Sequence, residues 1–433
     1  MNIKLRKLRN EKNMRERLVK ISFLTLMLIF VSLGVITPSN AAISATMKLE
    51  IDWEVTFGGI GKDEPRGLVQ TSDGGFAVIS SKEDSYSRLV KFTANGQQEW
   101  NTTIIETLGW SRALVQTSDD GYVVVGRRGV FGQDADVLLR KFNSKGKPEW
   151  NITFGGEKSD WINSFIIAKD GGLILAGGTN YNGSAEGELW RAYDMWLVKT
   201  DSQGVPEWNR SFGGELSEVA STVIQTSDGG YAIAGRTDSY GQGMGNDDAW
   251  LVKTDASGQP EWNKTFDCGM FSSMIQIADG SYVFGGEHYQ VLNNDIYLLK
   301  ADSNGNQIWY HNYHNMPEDK FNYLIHTNDG GYLLAGNTGV TYEANHDLWF
   351  VKTDTNGNHE WNATLGDSED QRLDSVIQLS DGSLVITATS GSESWLFKAQ
   401  VVEDTASDTP GFEFEVLVLC LTFLFFISRK RGQ

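Results

Sequence analysis

Acidic side chains recur at one place in a repeated pattern, and carboxylates are ligands that Ca²⁺ prefers in proteins. Five copies of the pattern place an acid shortly before an apolar run: Asp63, Asp160, Glu218, Asp319 and Asp370. If the runs that follow are the innermost strands of a closed ring, these acids surround one mouth of its channel. The sequence then predicts Ca²⁺ binding. The alternative is that each acid caps a turn by accepting backbone N–H bonds.

Catalytic patterns are missing from the sequence. The histidines show no His-Glu-x-x-His spacing, and neither a Gly-x-Ser-x-Gly elbow nor a phosphate loop occurs. His311, His314 and His326 lie near Asp319 in the sequence, which makes them a metal candidate. A second row of acids starts a later run in six copies and indicates strand-entry caps: Asp136, Asp194, Asp248, Asp295, Asp347 and Glu393. We therefore expect no cofactor and a non-catalytic protein.

Aromatic side chains are concentrated in two long loops of the pattern, at Tyr181, Trp190, Tyr193 and Tyr240. Variable loops on a rigid frame are where recognition usually resides. These rings could stack on sugars or grip a protein partner, and they could equally cover the hydrophobic tops of the repeats. The first interpretation predicts an unknown glycan or protein ligand.

Asparagines in Asn-x-Ser/Thr are a third candidate set, because this motif accepts glycans in exported proteins. Six such asparagines occur: Asn101, Asn151, Asn182, Asn209, Asn263 and Asn362. Five of the six occupy the same place in the repeat. The alternative is that Asn and Thr simply suit the start of a strand at this place.

All these residues are carried by a motif that returns seven times with a period of roughly 50 residues. One copy contains the β-like runs Val223–Thr226, Tyr231–Gly235 and Trp250–Lys253, followed by a fourth run of the type Glu-Trp-Asn-x-Thr-Phe. The second runs are almost continuously apolar, as in strands that are covered on both faces. The sequence therefore predicts an all-β fold, a seven-bladed β-propeller of four-stranded antiparallel blades.

The phase of the repeat predicts how the ring closes. The chain begins with a fourth run, Trp53–Phe57, and ends with a third run, Trp395–Ala399. The last blade thus lacks an outer strand, and the N-terminal segment can supply it and remove the open edge. We expect Glu50–Phe57 to pair with Trp395–Val402.

The repeat resembles the SBBP-type β-propeller repeats of bacteria and archaea. The residues that carry the resemblance in one copy are Trp208, Phe212-Gly213-Gly214, Asp228-Gly229, Gly235, Asp248, Lys253-Thr254-Asp255, Gly258 and Trp262. The resemblance covers about 360 residues, implies the propeller fold and implies no single activity. The Asp-x-x-Gly…Trp segment is also similar to the tryptophan-docking motif of quinoprotein propellers, which implies that each tryptophan holds one blade against the next. Those enzymes have a vicinal cysteine pair that this chain lacks, so no quinone is expected.

The two ends predict export and attachment to a membrane. Residues 1–41 have the order of a signal peptide, with a basic stretch, the apolar run Ile21–Ile36 and small residues at Ser39 and Ala41. An uncleaved N-terminal anchor is the alternative. The repeats occupy 42–402 and a linker 403–409. The segment 410–433 resembles the archaeal PGF-CTERM sorting signal through Pro410-Gly411-Phe412, an apolar run and a basic end. That resemblance implies cleavage and lipidation, and a plain membrane anchor is the alternative.

The acidic charge of the repeat body and its single cysteine make nucleic-acid binding and an internal disulfide unexpected. Residues 42–409 carry 26 basic and 52 acidic side chains. Nucleic acid is not an expected partner of such a body, since its binding rests on neutralised phosphates. Cys420 lies in the apolar tail, so Cys268 has no partner for a disulfide within the body. We expect a binding or envelope module on the extracellular face of the membrane. A polysaccharide-active enzyme with acids at the channel mouth and a glycosylated structural coat protein are the alternatives.

Overall fold

The protein consists of β-strands throughout its described part. The computed structural model describes residues 47–58, 63–82, 86–104, 114–129, 135–157, 159–179, 193–241, 248–289, 294–315, 319–339, 346–367 and 369–404. These residues form 28 strands in seven four-stranded antiparallel sheets. The all-β, seven-bladed β-propeller predicted from the repeat is thus confirmed.

Each blade contains four strands, which follow chain order from the ring axis outward in six blades; in the seventh blade the outermost strand is the N-terminal one. The first strands are β2 (Asp63–Gln70), β6 (Leu114–Gln116), β10 (Asp160–Ile167), β14 (Glu218–Gln225), β18 (Met270–Gln276), β22 (Lys320–His326) and β26 (Gln371–Gln378). The second strands are β3 (Phe76–Lys82), β7 (Tyr122–Arg128), β11 (Leu173–Thr179), β15 (Tyr231–Thr237), β19 (Tyr282–Tyr289), β23 (Tyr332–Thr338) and β27 (Leu384–Ser390).

The outer half of each blade is built from its third and fourth strands. The third strands are β4 (Tyr86–Phe92), β8 (Asp136–Phe142), β12 (Asp194–Thr200), β16 (Asp248–Thr254), β20 (Asn294–Ala301), β24 (Asp347–Thr353) and β28 (Glu393–Glu403). The fourth strands are β5 (Gln98–Ile104), β9 (Pro148–Phe154), β13 (Pro206–Phe212), β17 (Pro260–Phe266), β21 (Gln307–Tyr313), β25 (His359–Leu365) and, for the seventh blade, β1 (Met47–Phe57).

The N-terminal strand closes the ring. β1 pairs antiparallel with β28, with Phe57 opposite Ser394 and Glu50 opposite Gln400. The pairing continues to Met47 opposite Glu403, so it is longer than the predicted segment. The predicted closure by Glu50–Phe57 and Trp395–Val402 is confirmed. We call the face where the first strands begin the upper face and the face with the Ser-Asp-Gly-Gly turns the lower face.

The core lies between the blades as well as within them. One cluster joins Ile174 and Leu197 of the third blade to Val223, Ile233 and Val252 of the fourth, all buried. The apolar second strands supply both faces of these layers, as their sequence predicted. Each such side chain contributes about 1.5–3 kcal/mol on burial, so the seams between blades carry much of the stability.

Tryptophans of the fourth strands dock successive blades. Trp208 lies against Gly258, whose φ of +77° belongs to the turn before the next blade's fourth strand; a Cβ there would come within 2.5 Å of the indole. The other docked pairs are Trp53–Gly96, Trp100–Gly146, Trp150–Gly204, Trp262–Gly305 and Trp309–Gly357. Trp361 belongs to the sixth blade and has no such glycine partner among the described residues, because in the seventh blade β28 and β1 come from opposite ends of the chain and no turn joins them. Trp361 packs instead in a cluster with Leu49 and Ile51 of β1. The docking role implied by the sequence is confirmed.

Candidate functional site

The repeated acids of the upper face are buried at the seams between blades. Glu218 is fully buried, and its Oε2 accepts the Gly214 N–H at 2.9 Å. Its Oε1 accepts the Thr237 hydroxyl at 2.8 Å and the Ser239 N–H at 2.9 Å. The carboxylate therefore ties the loop that enters the blade to the end of the second strand.

The same arrangement recurs at two further seams. Asp319 accepts the Asn315 N–H at 2.7 Å and the Thr338 hydroxyl at 2.6 Å. Asp160 accepts the Gly156 N–H at 2.5 Å. Burial, together with the negative charge of Asp136, raises the pKa of Asp160 above its usual range, although donors from Thr179 and Gly156 oppose the shift.

The backbone of these acids also joins neighbouring blades. The N–H groups of Asp160 and Glu218 each donate at 2.7 Å to the residue that precedes the previous blade's third strand, Ala135 or Tyr193. Asp63 donates in the same way to Ser392 at 3.2 Å. These acids therefore lie at separate seams, and the carboxylates of Asp160, Glu218 and Asp319 accept hydrogen bonds as turn caps do.

Asp370 does not belong to this set, which corrects the sequence interpretation. Gln371 occupies the equivalent position, because its N–H donates to His346 O at 2.8 Å and its side chain is buried. Asp370 precedes the strand and accepts from His346 Nδ1 at 2.8 Å and Arg372 Nε at 2.8 Å. The sequence placed it one residue out of register because an acid stood next to the glutamine.

A Ca²⁺ ring finds no support in this geometry. A cation at Glu218 or Asp319 would have to displace two or three protein donors from a buried carboxylate. In the part of the chain that the structure describes, no group of three or more His, Cys, Asp or Glu side chains could hold a metal. Turn capping, the alternative that the sequence left open, describes the contacts of these acids.

The second row of acids explains the glycines of the repeat. A Cβ atom on Gly155 would lie 2.1 Å from Asp136 Oδ1 and 2.8 Å from Asp160 Oδ2. In the fifth blade a histidine stands at the equivalent position, and His314 Nδ1 lies 3.0 Å from Asp295 and 3.5 Å from Asp319. The position after the fourth strand is thus occupied either by a glycine, which leaves room for the two neighbouring carboxylates, or by a histidine whose imidazole contacts both of them.

The three clustered histidines of the sequence do not converge. His314 lies at the upper seam, whereas His311 Nε2 contacts Asn356 O at 3.1 Å on the outer strand. His326 ends a first strand near the lower face and packs beside Tyr332. The predicted metal candidate of His311, His314 and His326 with Asp319 is therefore wrong, because the strands carry these side chains to different parts of the blade.

An exposed apolar surface lies on the upper face at the seam of the third and fourth blades. Leu216 and Tyr240 are each 46% exposed, and Leu216 N–H donates to Ser239 Oγ at 2.9 Å beside Tyr240. On the third-blade side of this seam, Trp161 and Tyr193 meet edge to face with centroids 4.7 Å apart, and Tyr193 O accepts the Glu218 N–H of the fourth blade at 2.7 Å. We call Trp161, Tyr193, Leu216 and Tyr240 the aromatic corner.

Tyr240 is held in place within this corner. Its hydroxyl donates to Gly213 O at 2.7 Å, and its ring lies 5.3 Å from that of Trp250. Burial, and then the charges of Glu218 and Asp194, raise the pKa of Tyr240 above its usual range. Of the ligand candidates from the sequence, the structure brings Tyr193 and Tyr240 to one seam, while Tyr181 and Trp190 lie outside the described residues. The sequence analysis did not include Leu216 and Trp161 among the ligand candidates. Their place in the repeat, next to the start of a first strand, was the signal that could have identified them.

The candidate glycan acceptors lie on the outer strands. Asn101, Asn151, Asn209, Asn263 and Asn362 are all exposed. Asn182 lies outside the described residues. The indoles of Trp196 and Trp250 donate to the oxygens of Asn209 and Asn263 at 3.5 and 3.4 Å. These positions leave the five side chains accessible to a modifying enzyme.

Buried lysines on the lower face are a structural feature that the sequence analysis missed. Lys253 Nζ lies 2.8 Å from Asp228 of the Ser-Asp-Gly-Gly turn and 2.8 Å from Glu261 of the fourth strand. Four more blades have the same ion-pair triad, centred on Lys91, Lys141, Lys199 and Lys352. The signal was a lysine eight residues before the glutamate of each Glu-Trp pair. In the second blade the turn acid is Asp119, one residue before the Asp120 expected from the Asp-Gly pattern.

Comparison with known proteins shows the fold alone. No family model matches the chain, and no curated protein matches it. The chain is similar in structure to the WD40 domain of Neurospora crassa Pan2, with a TM-score of 0.53 and 11% identity over 81% of this chain and 95% of that one. The propeller of Dos1 gives a TM-score of 0.48 and 12% identity, over 77% of each chain. The similarity to the Pan2 domain supports the β-propeller fold, while the SBBP type and the PGF-CTERM signal stay predictions.

Neither end segment is described by the structure. Residues 1–41 and Pro410, Gly411 and Phe412 lie outside the described residues. Among the residues that are described, no helix is long and apolar enough to cross a membrane.

Proposed function

We propose that this protein is a non-catalytic binding module that recognises a protein or glycan through the aromatic corner of its upper face. The carrying observation is the exposure of Leu216 and Tyr240 beside Trp161 and Tyr193 at one seam. Large aromatic and apolar side chains in such a position gain free energy when a partner covers them. A closed propeller supplies the rigid frame.

The repeated acids support a binding role over an enzymatic one. Glu218, Asp160 and Asp319 are engaged by backbone and hydroxyl donors, which leaves them in the role of caps. General acid–base chemistry needs a carboxyl that can reach a substrate proton. The alternative of a polysaccharide-active enzyme would need acids at the channel mouth that are accessible.

The binding proposal is tested with glycan and protein arrays probed by the purified chain. The double variant Leu216→Ser/Tyr240→Ala is expected to lose at least about tenfold in affinity for any ligand that the arrays show. Val205→Ser is the matched control, because Val205 is also an exposed apolar residue, 49% accessible, but lies in a lower-face turn. Equal binding by the double variant and the control, or no binding to either array, would contradict the proposal.

We further propose that the chain is exported, glycosylated and tethered to the membrane by its C-terminal segment. Its support is the sequence order of residues 1–41 and 410–433 and the exposure of five Asn-x-Ser/Thr acceptors on outer strands. Mass spectrometry of the protein from its native membrane is expected to find an N-terminus near residue 42 and glycans on Asn101, Asn151, Asn209, Asn263 or Asn362. Intact residues 1–41 with unmodified asparagines would contradict it, and dense occupancy of all five would favour the structural-coat alternative.

A further inference from the structure

The fifth blade departs from the others along its outer strand, β21. Five other outer strands have a glutamate at the β-bulge that begins the strand, where its carboxylate meets the buried lysine: Glu99, Glu149, Glu207, Glu261 and Glu360. In β21 the residue at the bulge is Ile308, whose side chain is 54% exposed. Lys300 consequently has one carboxylate contact, Asp279 at 3.5 Å.

Further differences accompany the first. Tyr310 stands where five of the other six outer strands have the asparagine of Asn-x-Ser/Thr, so β21 has no glycan acceptor at this place. Its sequence, QIWYHNY, contains no Asp, Glu, Lys or Arg, whereas each of the other six outer strands contains at least one. Proline begins β9, β13 and β17 but not β21.

These differences remove the features that protect a sheet edge. A free edge strand presents unpaired N–H and C=O groups, and proteins block it with charge, proline or a covering group. Among the described residues, β21 is the last strand of its sheet and pairs with β20 alone. An exposed isoleucine on an uncharged, proline-free edge is typical of a strand that pairs with another strand.

We infer that β21 is the interface of a homodimer, in which two copies pair their β21 strands antiparallel about a twofold axis. The body carries an excess of acid, so two copies repel each other across most of their surfaces. β21 is the outer strand on which they approach without a like charge on the edge itself. With Tyr310 at the axis, Ile308 faces Asn312 of the second copy and the two Tyr310 rings form a cross-strand aromatic pair.

The interface uses the fifth blade and leaves the aromatic corner of the third and fourth blades exposed. The inference therefore does not rest on the proposed binding function, and the two can fail separately. A single pair of strands buries a small area, so we expect a dissociation constant in the micromolar range, where dimer and monomer both populate measurable concentrations.

The test is the mass of the purified full chain by analytical ultracentrifugation in density-matched detergent, over a hundredfold range of concentration. The wild type is expected to shift from monomer to dimer. Ile308→Glu is expected to raise the dissociation constant about tenfold or more by placing a charge on the edge. It is also expected to raise Tm slightly, because it gives Lys300 the carboxylate that the five triad blades have. Val205→Glu is the matched control and is expected to leave the dimer unchanged.

A cross-link locates the axis independently. Tyr310→Cys in a Cys268→Ala/Cys420→Ser background is expected to form a disulfide-linked dimer on oxidation. Cys268 is replaced because it is buried in the cluster against which Tyr310 packs. Glu54→Cys, at the equivalent place on β1, is the control that is expected to stay monomeric. A wild type that is monomeric throughout, a dimer that Ile308→Glu leaves intact, or equal cross-linking at residues 310 and 54 would overturn the inference.

Discussion

At the scale of single residues, the buried lysines decide how the lower face is held. Lys253 Nζ contacts Asp228 and Glu261 at 2.8 Å each and also donates to Thr254 O at 2.9 Å. One cation thus joins the turn between the first two strands to the start of the fourth. The two carboxylates are about half exposed, so their own burial costs little, and the ammonium is the group that depends on them.

Replacing this lysine is expected to destabilise the propeller. Lys253→Met leaves two carboxylates close together without a cation, and we expect a loss of about 1–2 kcal/mol, below that of a fully buried pair because solvent screens the acids. Urea denaturation measures it. Lys300→Met is the control, since Asp279 is the one carboxylate that Lys300 contacts in the described part of the chain, and it is expected to cost less. Equal losses in the two variants would contradict the role of the triad.

The turn acids of the triads predict a pH dependence. In Asp73 the hydroxyl of Thr71 is the largest cause that lowers the pKa, to about 2. In Asp228 partial burial opposes the shift, but Lys253, Thr226 and Gly230 together lower the pKa to about 2. Because the pKa of Asp228 in the folded protein lies below the usual value of 3.8, its stabilisation is fully present above about pH 5 and is lost as the pH falls from there to about 2.

Unfolding free energies measured between pH 5 and pH 2 are therefore expected to fall as pH decreases. Asp228→Asn removes one of the titrating groups and is expected to flatten this slope, with lower stability at pH 5 than the wild type. Circular dichroism during urea titration at each pH is the measurement. A variant with the same slope as the wild type would show that Asp228 does not contribute.

At the scale of elements, the two carboxylates at the seam of Gly155 lie so close to the residue after the fourth strand that it has to be glycine. Gly155→Ala would place a methyl group against Asp136 and Asp160, and we expect a destabilisation of about 1–3 kcal/mol. Gly156→Ala is the control, because the nearest atom to its Cβ, Asp160 Oδ2, would lie at an ordinary 3.6 Å. Thermal denaturation of both variants is the check, and equal values of Tm would contradict the steric argument.

The elements themselves were largely predictable from the sequence. Apolar runs such as Tyr231–Gly235, the Ser-Asp-Gly-Gly turns and the repeated tryptophans determine local structure, so strand types and blade number follow from the pattern. Contacts between blades were less accessible. The pairing of Gln225 with the preceding blade's Lys169 N–H, at 2.9 Å, joins residues 56 apart that no local pattern connects.

The candidate sites were predictable only in part for the same reason. Whether Glu218 binds a cation or caps a turn depends on donors from Thr237 and Ser239, which the fold brings to it. The offset between Asp370 and Gln371 could be resolved only once the hydrogen bond to His346 O set the register. Tyr240 was noticed from its loop, but Leu216 gained meaning only from its exposure beside it.

At the scale of the whole molecule, the pairing of β1 with β28 completes the seventh blade and closes the ring. β1 and β28 connect residues about 350 positions apart, so the seventh blade forms only after both ends of the propeller are made. The repeated residues then serve as the frame, and the places where the repeat changes, at the aromatic corner and along β21, carry the proposed interactions.

Cross-linking of β1 to β28 tests this closure most directly. In a Cys420→Ser background, the pair Glu50→Cys/Gln400→Cys occupies directly opposed positions, where Cβ atoms are close enough for a disulfide. Glu50→Cys/Val402→Cys is the control that is two residues out of register. The closed ring predicts that the first pair oxidises within one chain and raises Tm, while the control cross-links poorly. Failure of the first pair, or equal cross-linking of both, would contradict the closed seven-bladed ring.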